Sequence, residues 1–433
     1  MNPKKIIKWG SEKIIEWLDG KINYIFNVIT IKNINYVMFV PHYNSMKDGY
    51  DILNPGSDNV LCFFDSLLRD VRYNHLTLIL GYYNKEKIQL YKDYCNKFRL
   101  GGVQFFYMFD RIAFNKFFNR TPIIFTDETF KVYPAKVKSQ KIVCLNYYAG
   151  FMKNDFFRIK EHGGYKKLLK EQKKMYKNYD YIITISDVCS MFTSVEDCVY
   201  YGSLLPLGFP RNDIFFQDNQ DLRRSIEDAI GISFKNIITY VPTHRDYENE
   251  DRDFFDLSSL TPRSLFGPIT LDEAKKIESV LENTNSVIIA KVHPMQVRNN
   301  IKEFVFKRVI FYQDLIKKVN TSLNPIMAIS DALLTDYSTA VYDFMYTNRP
   351  IIYYFYDYEK YNATRGLFIE PINSICMGDI TYNISQLCNS IVKVTSGKDE
   401  YQEKRRILSN LLIKDRDGKS SERIKQFFLD ITI

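Results

Sequence analysis

The chain has 433 residues, 45% of them hydrophobic and 25% charged, with 59 Lys and Arg against 51 Asp and Glu for a net charge of +8. This composition excludes long disorder, and at ~150 residues per domain the length predicts two domains. The modest basic excess suits phosphate-bearing ligands or an anionic membrane face, whereas the dispersion of Lys and Arg and the lack of a recognition motif argue against nucleic acid. Seven scattered cysteines, never in a CxxC pair, point away from a disulfide framework or a zinc site and toward a reducing, cytoplasmic setting. No run reaches the ~18 apolar residues of a spanning helix, and no signal-peptide pattern opens the chain.

In chain order, residues 1–20 read as an amphipathic helix with Ile7, Ile14 and Leu18 on one side and both tryptophans, Trp9 and Trp17. Trp rings among lysines suit a lipid headgroup zone, which would make the chain peripheral on the cytoplasmic face of the membrane; a helix packed on its own protein is the other reading. Residues 21–207 then alternate short apolar runs with helical stretches. The runs Tyr36 to Pro41, Leu76 to Leu80, Val103 to Tyr107, Pro122 to Phe125, Ile142 to Leu145 and Tyr181 to Ser186 predict buried strands, with helices such as Asn59 to Asp70 and Lys85 to Phe98 between them. After a turn-rich join, residues 208–403 repeat the pattern, with strands at Ile237 to Val241, Ser286 to Ala290, Val309 to Phe311, Ala332 to Leu334 and Pro350 to Tyr354. The closing segment, 404–433, is charged and reads as helical from Lys404 to Leu429, able to pack on either domain. Alternation of this kind predicts an α/β protein with two Rossmann-like domains facing each other across a cleft.

Three predicted strand ends carry groups that suit phosphate. Ala332 to Leu334 runs into Thr335-Asp336-Tyr337-Ser338-Thr339 and a helix expected from Ala340, which would place hydroxyls and orphan N–H groups together. Helix capping by Ser338 or Thr339 is the plain alternative, and the two uses are compatible. Lys291-Val292-His293-Pro294 follows the second strand of this series, and Pro242-Thr243-His244-Arg245-Asp246 follows the first, delivering cations to the same sheet edge.

These segments, with Tyr342-Asp343-Phe344, Arg365-Gly366 and the upstream Gly208-Phe209-Pro210-Arg211-Asn212-Asp213, resemble the CDP-glycerol glycerophosphotransferase family, which includes teichoic acid primases and polymerases. The resemblance implies a GT-B fold whose second domain binds a CDP-glycerol or CDP-ribitol donor without a metal or other cofactor. By the same resemblance His293 would neutralise the pyrophosphate, Ser338 and Thr339 would hold phosphate oxygens, and Arg245 and Lys291 would add positive charge. Arg211, Thr243, Thr335 and Arg365 would complete the donor side, with Asp336 structural or orienting the donor. The expected partners are that donor and a glycan or lipid-linked acceptor, and the expected reaction transfers polyol phosphate to the acceptor and releases CMP.

The family's presumed base is a His in a Trp-His-Gly segment, and Tyr148 stands at that place here. A phenol of pKa ~10 is a poor base near neutrality. His42, at the end of the first strand, and Asp155 are therefore the other candidates, alongside a Tyr148 of lowered pKa. Two further readings stay open: a GT-B glycosyltransferase using a nucleotide sugar, and a weakly active or non-catalytic acceptor-binding component of a polymer assembly complex.

Overall fold

The computed structural model describes residues 21–42, 51–99, 101–127, 136–145, 164–196, 198–243, 265–291, 306–367 and 369–432. In it the short apolar runs form two all-parallel sheets, most of their strand residues buried, as expected when helices cover both faces. The first sheet comprises β1 (Tyr36–Val40), β2 (Thr77–Tyr82), β3 (Val103–Tyr107), β4 (Ile123–Thr126), β5 (Lys141–Cys144), β6 (Tyr181–Ile183) and β7 (Leu204–Leu205), in the order β3-β2-β1-β4-β5-β6-β7. The second comprises β8 (Asn236–Val241), β9 (Ser286–Ala290), β10 (Val309–Phe311), β11 (Ala332–Thr335), β12 (Ile351–Tyr354) and β13 (Asp379–Thr381), in the order β10-β9-β8-β11-β12-β13.

In each sheet the strand order reverses once, between β1 and β4 in the first and between β8 and β11 in the second. Crossovers leave such a junction on opposite faces of the sheet, which opens a crevice at the carboxyl ends of the two strands. The registers place Val40 beside Thr126 and Val241 beside Thr335, so the loops that leave these residues emerge side by side.

The helix Asn59–Leu68 shows how one segment builds the first core. Asp58 caps it by accepting the N–H of Leu61, and the absence of any Gly or Pro lets the apolar residues run without a break. Its face of Val60, Phe63, Phe64 and Leu67 is buried against the sheet, where the Phe63 ring lies 4.8 Å from Phe125 and the Phe64 ring 5.2 Å from Phe39.

The stretch expected to be one helix from Lys404 to Leu429 is two, Gln402–Leu412 and Ser420–Thr432, separated by a turn in which Gly418 has φ 68°. The first run ends at Ile413, whose backbone is extended at φ −125°, and the left-handed backbone at Gly418, which favours glycine, turns the chain into the second helix. The second helix returns to the first domain: Phe428 meets Tyr73 and Phe125, Phe427 meets Tyr181 edge-on at 5.0 Å, and Lys425 pairs with Asp70 at 3.0 Å. Gly208 makes room for this helix at φ 86°, since a Cβ there would lie 2.4 Å from Ser420 Oγ.

The helix expected over residues 1–20 lies outside the described residues. The segment that follows is helical over residues 21–29 and is held by Asn27, which is buried and donates to Gln140 Oε1 at 2.8 Å. Its Ile22, Ile25, Phe26, Val28 and Ile29 are exposed, as are Ile31 and Ile34 just beyond.

Candidate active site

At the β8/β11 crevice, two strand-end loops are tied together by side-chain hydrogen bonds. Asp336, 1% exposed, accepts the Thr243 N–H with both carboxylate oxygens at 2.8 and 3.0 Å, and the Thr335 hydroxyl donates to Val241 O at 2.9 Å. The structure therefore commits the Thr335 hydroxyl and this edge of Asp336 to joining the loops, where sequence reasoning assigned Thr335 to the donor. Ser338 and Thr339 are the partly exposed hydroxyls that follow.

The helix begins at Ala340 as expected but has only five residues before it passes into the 3₁₀ turn Met345–Thr347. A single turn carries little macrodipole, so the local N–H groups and hydroxyls, rather than a long-range field, are what this end presents. Thr339, at the cap position, makes no side-chain cap bond, and Ser338 Oγ only reaches Ala340 N at 3.4 Å. The loop is held from behind by Tyr337, fully buried, whose ring stacks between Tyr361 at 3.7 Å and Phe355 at 4.8 Å. Two parallel ring contacts on one side chain fix the backbone on either side of it, and with it the direction of Ser338.

Lys291 completes this edge from β9, the strand next to β8. Its N–H donates to Tyr240 O at 2.8 Å and its ammonium lies 5.9 Å from the centre of the Tyr312 ring. Thr243, Lys291, Ser338 and Thr339 thus sit on three adjacent strand ends. Arg245 and His293, on the continuations of two of these loops, lie outside the described residues, as do Tyr148 and Asp155. Arg365 is the last residue of the helix Tyr358–Arg365, on the element that carries Tyr361.

Arg211 is placed differently from its sequence assignment. It is 7% exposed and faces Asp343, with guanidinium nitrogens 3.2 to 3.4 Å from the carboxylate oxygens. A cation held so deeply by a buried acid serves the join between the domains in this structure, and the Gly208-to-Asp213 segment as a whole does the same. Asn212 Oδ1 accepts from Asn324 Nδ2 at 3.2 Å, and Asp213 accepts the N–H groups of Ser420 and Ser421 at the start of the last helix.

On the first domain the β1/β4 crevice is flanked by His42, partly exposed, and by Asp127, 2% exposed. Sequence reasoning passed over Asp127, although the rule that singled out Lys291, a polar residue directly after a buried strand, applies to it equally. Its carboxylate accepts the N–H groups of Val60 and Asn59, while Oδ1 has no hydrogen-bond partner among the described residues. Burial pushes this carboxyl well above the usual range, the neighbouring Asp58 pushes in the same direction, and Arg211 opposes them. An acid whose folded pKa is raised adds stability below its unfolded pKa and loses it as pH rises through the interval up to the folded pKa. Asp127→Asn is therefore expected to stabilise the protein at pH 7 by about 1–3 kcal/mol, with the gain vanishing below about pH 4. Urea melts of both proteins at pH 4 and pH 7 check this, and an equal difference at the two pH values would contradict it.

Comparison with known proteins gives the family and the fold. A model of the family described as CDP-glycerol:poly(glycerophosphate) glycerophosphotransferase matches residues 89–430. The teichoic acid glycerol-phosphate primase of Bacillus subtilis (strain 168) is 29% identical over 260 residues, which cover 60% of this chain and 60% of the primase. The teichoic acid glycerol-phosphate transferase of Staphylococcus aureus (strain NCTC 8325 / PS 47) is 26% identical over 260 residues, 59% of this chain and 61% of that one. The chain thus spans about 60% of the length of the curated relatives it matches. The solved wall teichoic acid polymerase TagF superimposes with a TM-score of 0.72 at 17% identity, covering 98% of this chain and 96% of the other, and shares its GT-B fold. Strand-end loops, motif order and the match over residues 89–430 all lead to one assignment: the chain belongs to the CDP-glycerol:poly(glycerophosphate) glycerophosphotransferase family.

Proposed function

We propose that this protein transfers polyol phosphate from CDP-glycerol or CDP-ribitol to a hydroxyl of a glycan or lipid-linked acceptor in teichoic-acid-like polymer synthesis. The observation that carries the reading is the β8/β11 crevice, where Thr243, Lys291, Ser338 and Thr339 project from adjacent strand ends of a chain in this family. In the reaction, the acceptor oxygen bonds to the β-phosphorus of the donor while the bridging P–O bond breaks. CMP departs with that electron pair, and the acceptor proton passes to a base, for which His42 at the facing crevice is the described candidate. Ser338, Thr339 and neighbouring N–H groups hold the phosphate oxygens, and Lys291 with the sequence neighbours Arg245 and His293 offsets their charge. Positioning and charge neutralisation of this kind supply most of the rate enhancement in phosphoryl transfer, without a metal or cofactor in this reading.

We also place the acceptor at a membrane surface. The exposed Ile25, Phe26, Ile29 and Ile31 continue the Trp-bearing segment of residues 1–20 and support that placement. No helix among the described residues is long and apolar enough to cross a membrane.

The test is CMP release from CDP-glycerol and CDP-ribitol, with UDP- and GDP-sugars as controls, in membrane extract as the acceptor source. Release by the wild type that falls at least about 100-fold in Ser338→Ala/Thr339→Ala is expected, as for loss of donors to a transferring group. Turnover of a nucleotide sugar alone, or of no donor, would overturn the reading. Co-sedimentation of the protein with the extract's vesicles in the same assay checks the membrane contact.

A further inference from the structure

The two crevices are joined by a continuous line of hydrogen bonds that runs through the linker between the domains. Asn59, fully buried at the start of its helix, donates from Nδ2 to Leu145 O at 3.3 Å and accepts the Arg211 N–H on Oδ1 at 3.1 Å. Leu145 is the residue directly before Asn146-Tyr147-Tyr148, the place of the family's presumed base. Arg211 in turn grips Asp343, which lies on the helical turn that starts at Ala340, directly after Ser338 and Thr339. Asp127 fixes the other side of the Asn59 turn through the N–H groups of Asn59 and Val60.

Neighbouring contacts make this junction stiff. Ser57 Oγ donates to Asn324 Oδ1 at 2.9 Å, and the Asn324 N–H donates back to Ser57 Oγ at 3.1 Å. Gly56 lies so close to the second domain that a Cβ would come within 1.6 Å of Ser322 Oγ. A rigid junction with buried, charge-assisted members transmits a displacement instead of absorbing it.

We propose that Asn59, Arg211 and Asp343 form a positioning relay that sets the acceptor-side strand end at Leu145 in register with the donor-side hydroxyls Ser338 and Thr339. The relay deepens the transferase reading and rests on it for its catalytic consequence, but not for its mechanical one. In this relay the three residues act through the segments they hold, not on the reacting atoms themselves. Their work is to keep the attacking oxygen in line with the phosphorus, where an error of ~1 Å costs about 100-fold in rate.

Two variants test the relay: Asn59→Ala, and Asp343→Asn, which keeps the shape of the side chain and leaves the helix turn intact. Hydrogen exchange of the free protein is the first readout. Asn59→Ala is expected to speed exchange of the Val341 to Phe344 amides on the opposite domain, and Asp343→Asn that of the Asn59 to Phe64 amides. Acceleration confined to the domain that carries the substitution overturns the relay. Steady-state CMP release is the second readout: kcat is expected to fall at least about tenfold in each variant with donor KM changed less than about twofold. A loss seen only in KM overturns it. A wild type inactive on both CDP-polyols rejects the transferase reading alone, and the exchange pattern then decides the relay by itself.

Discussion

Asp336→Ala is expected to reduce CMP release by about 100-fold and to destabilise the second domain by about 1.5–3 kcal/mol. The carboxylate is buried and accepts one N–H with both oxygens, so its removal takes a charge-assisted bond from the Thr243 backbone in a site water does not reach. The segment at Thr243 then keeps only the Thr335-to-Val241 bond, of its two ties to the loop that bears Ser338 and Thr339. Asp336→Asn keeps one acceptor oxygen at the same place and should recover a large part of both losses. Activity in Asp336→Ala within about threefold of wild type would mean that the bond to Thr243 does not organise the donor loops.

Phe125→Ala should cost about 3–5 kcal/mol, the range for deleting a fully buried aromatic ring from a core. Phe125 is the meeting point of three elements: its ring packs on Phe39 of the same sheet at 5.7 Å, on Phe63 of the Asn59 helix at 4.8 Å and on Phe428 of the last helix at 6.1 Å. The cavity would open on all three, so the loss should appear in urea unfolding and as early proteolytic cleavage near residues 413–419. If the denaturation midpoint moves but cleavage there does not, Phe428 is held by its other neighbours, Tyr73 among them.

Much of the fold was legible because a parallel sheet buried on both faces writes itself as apolar runs. Val103 to Tyr107, Ser286 to Ala290 and Val309 to Phe311 read from sequence with the bounds they have in the structure. Leu204–Leu205 and Asp379–Thr381 went unread because an edge strand of two or three residues, one of them with two polar positions, has no such run. The loops that bear Thr243, Lys291, Ser338 and Thr339 were legible as loops at neighbouring strand ends for a related reason: each polar segment follows closely on an apolar run, and the order of these segments along the chain preserves that. Arg211 and Thr335 show the limit. A cation beside a proline and a hydroxyl beside an acid look available to phosphate, and only the fold reveals that Asp343 and Val241 O, 132 and 94 residues away, engage them. Asn59 carries no motif at all, and its role depends on Leu145 and Arg211 arriving from 86 and 152 residues further along.

The return of the last helix to the first domain also sets an order of events during synthesis. Phe125, Tyr73 and Tyr181 on the first domain await Phe427 and Phe428, and the whole second domain is translated in between. At ~5–20 residues per second, the interval from Leu205 to Phe428 leaves an apolar face of the nascent first domain open for at least about ten seconds. A chain stalled or cut before residue 420 would keep that face exposed, and it would be a client for chaperones and proteases even though every strand of both sheets had already been made.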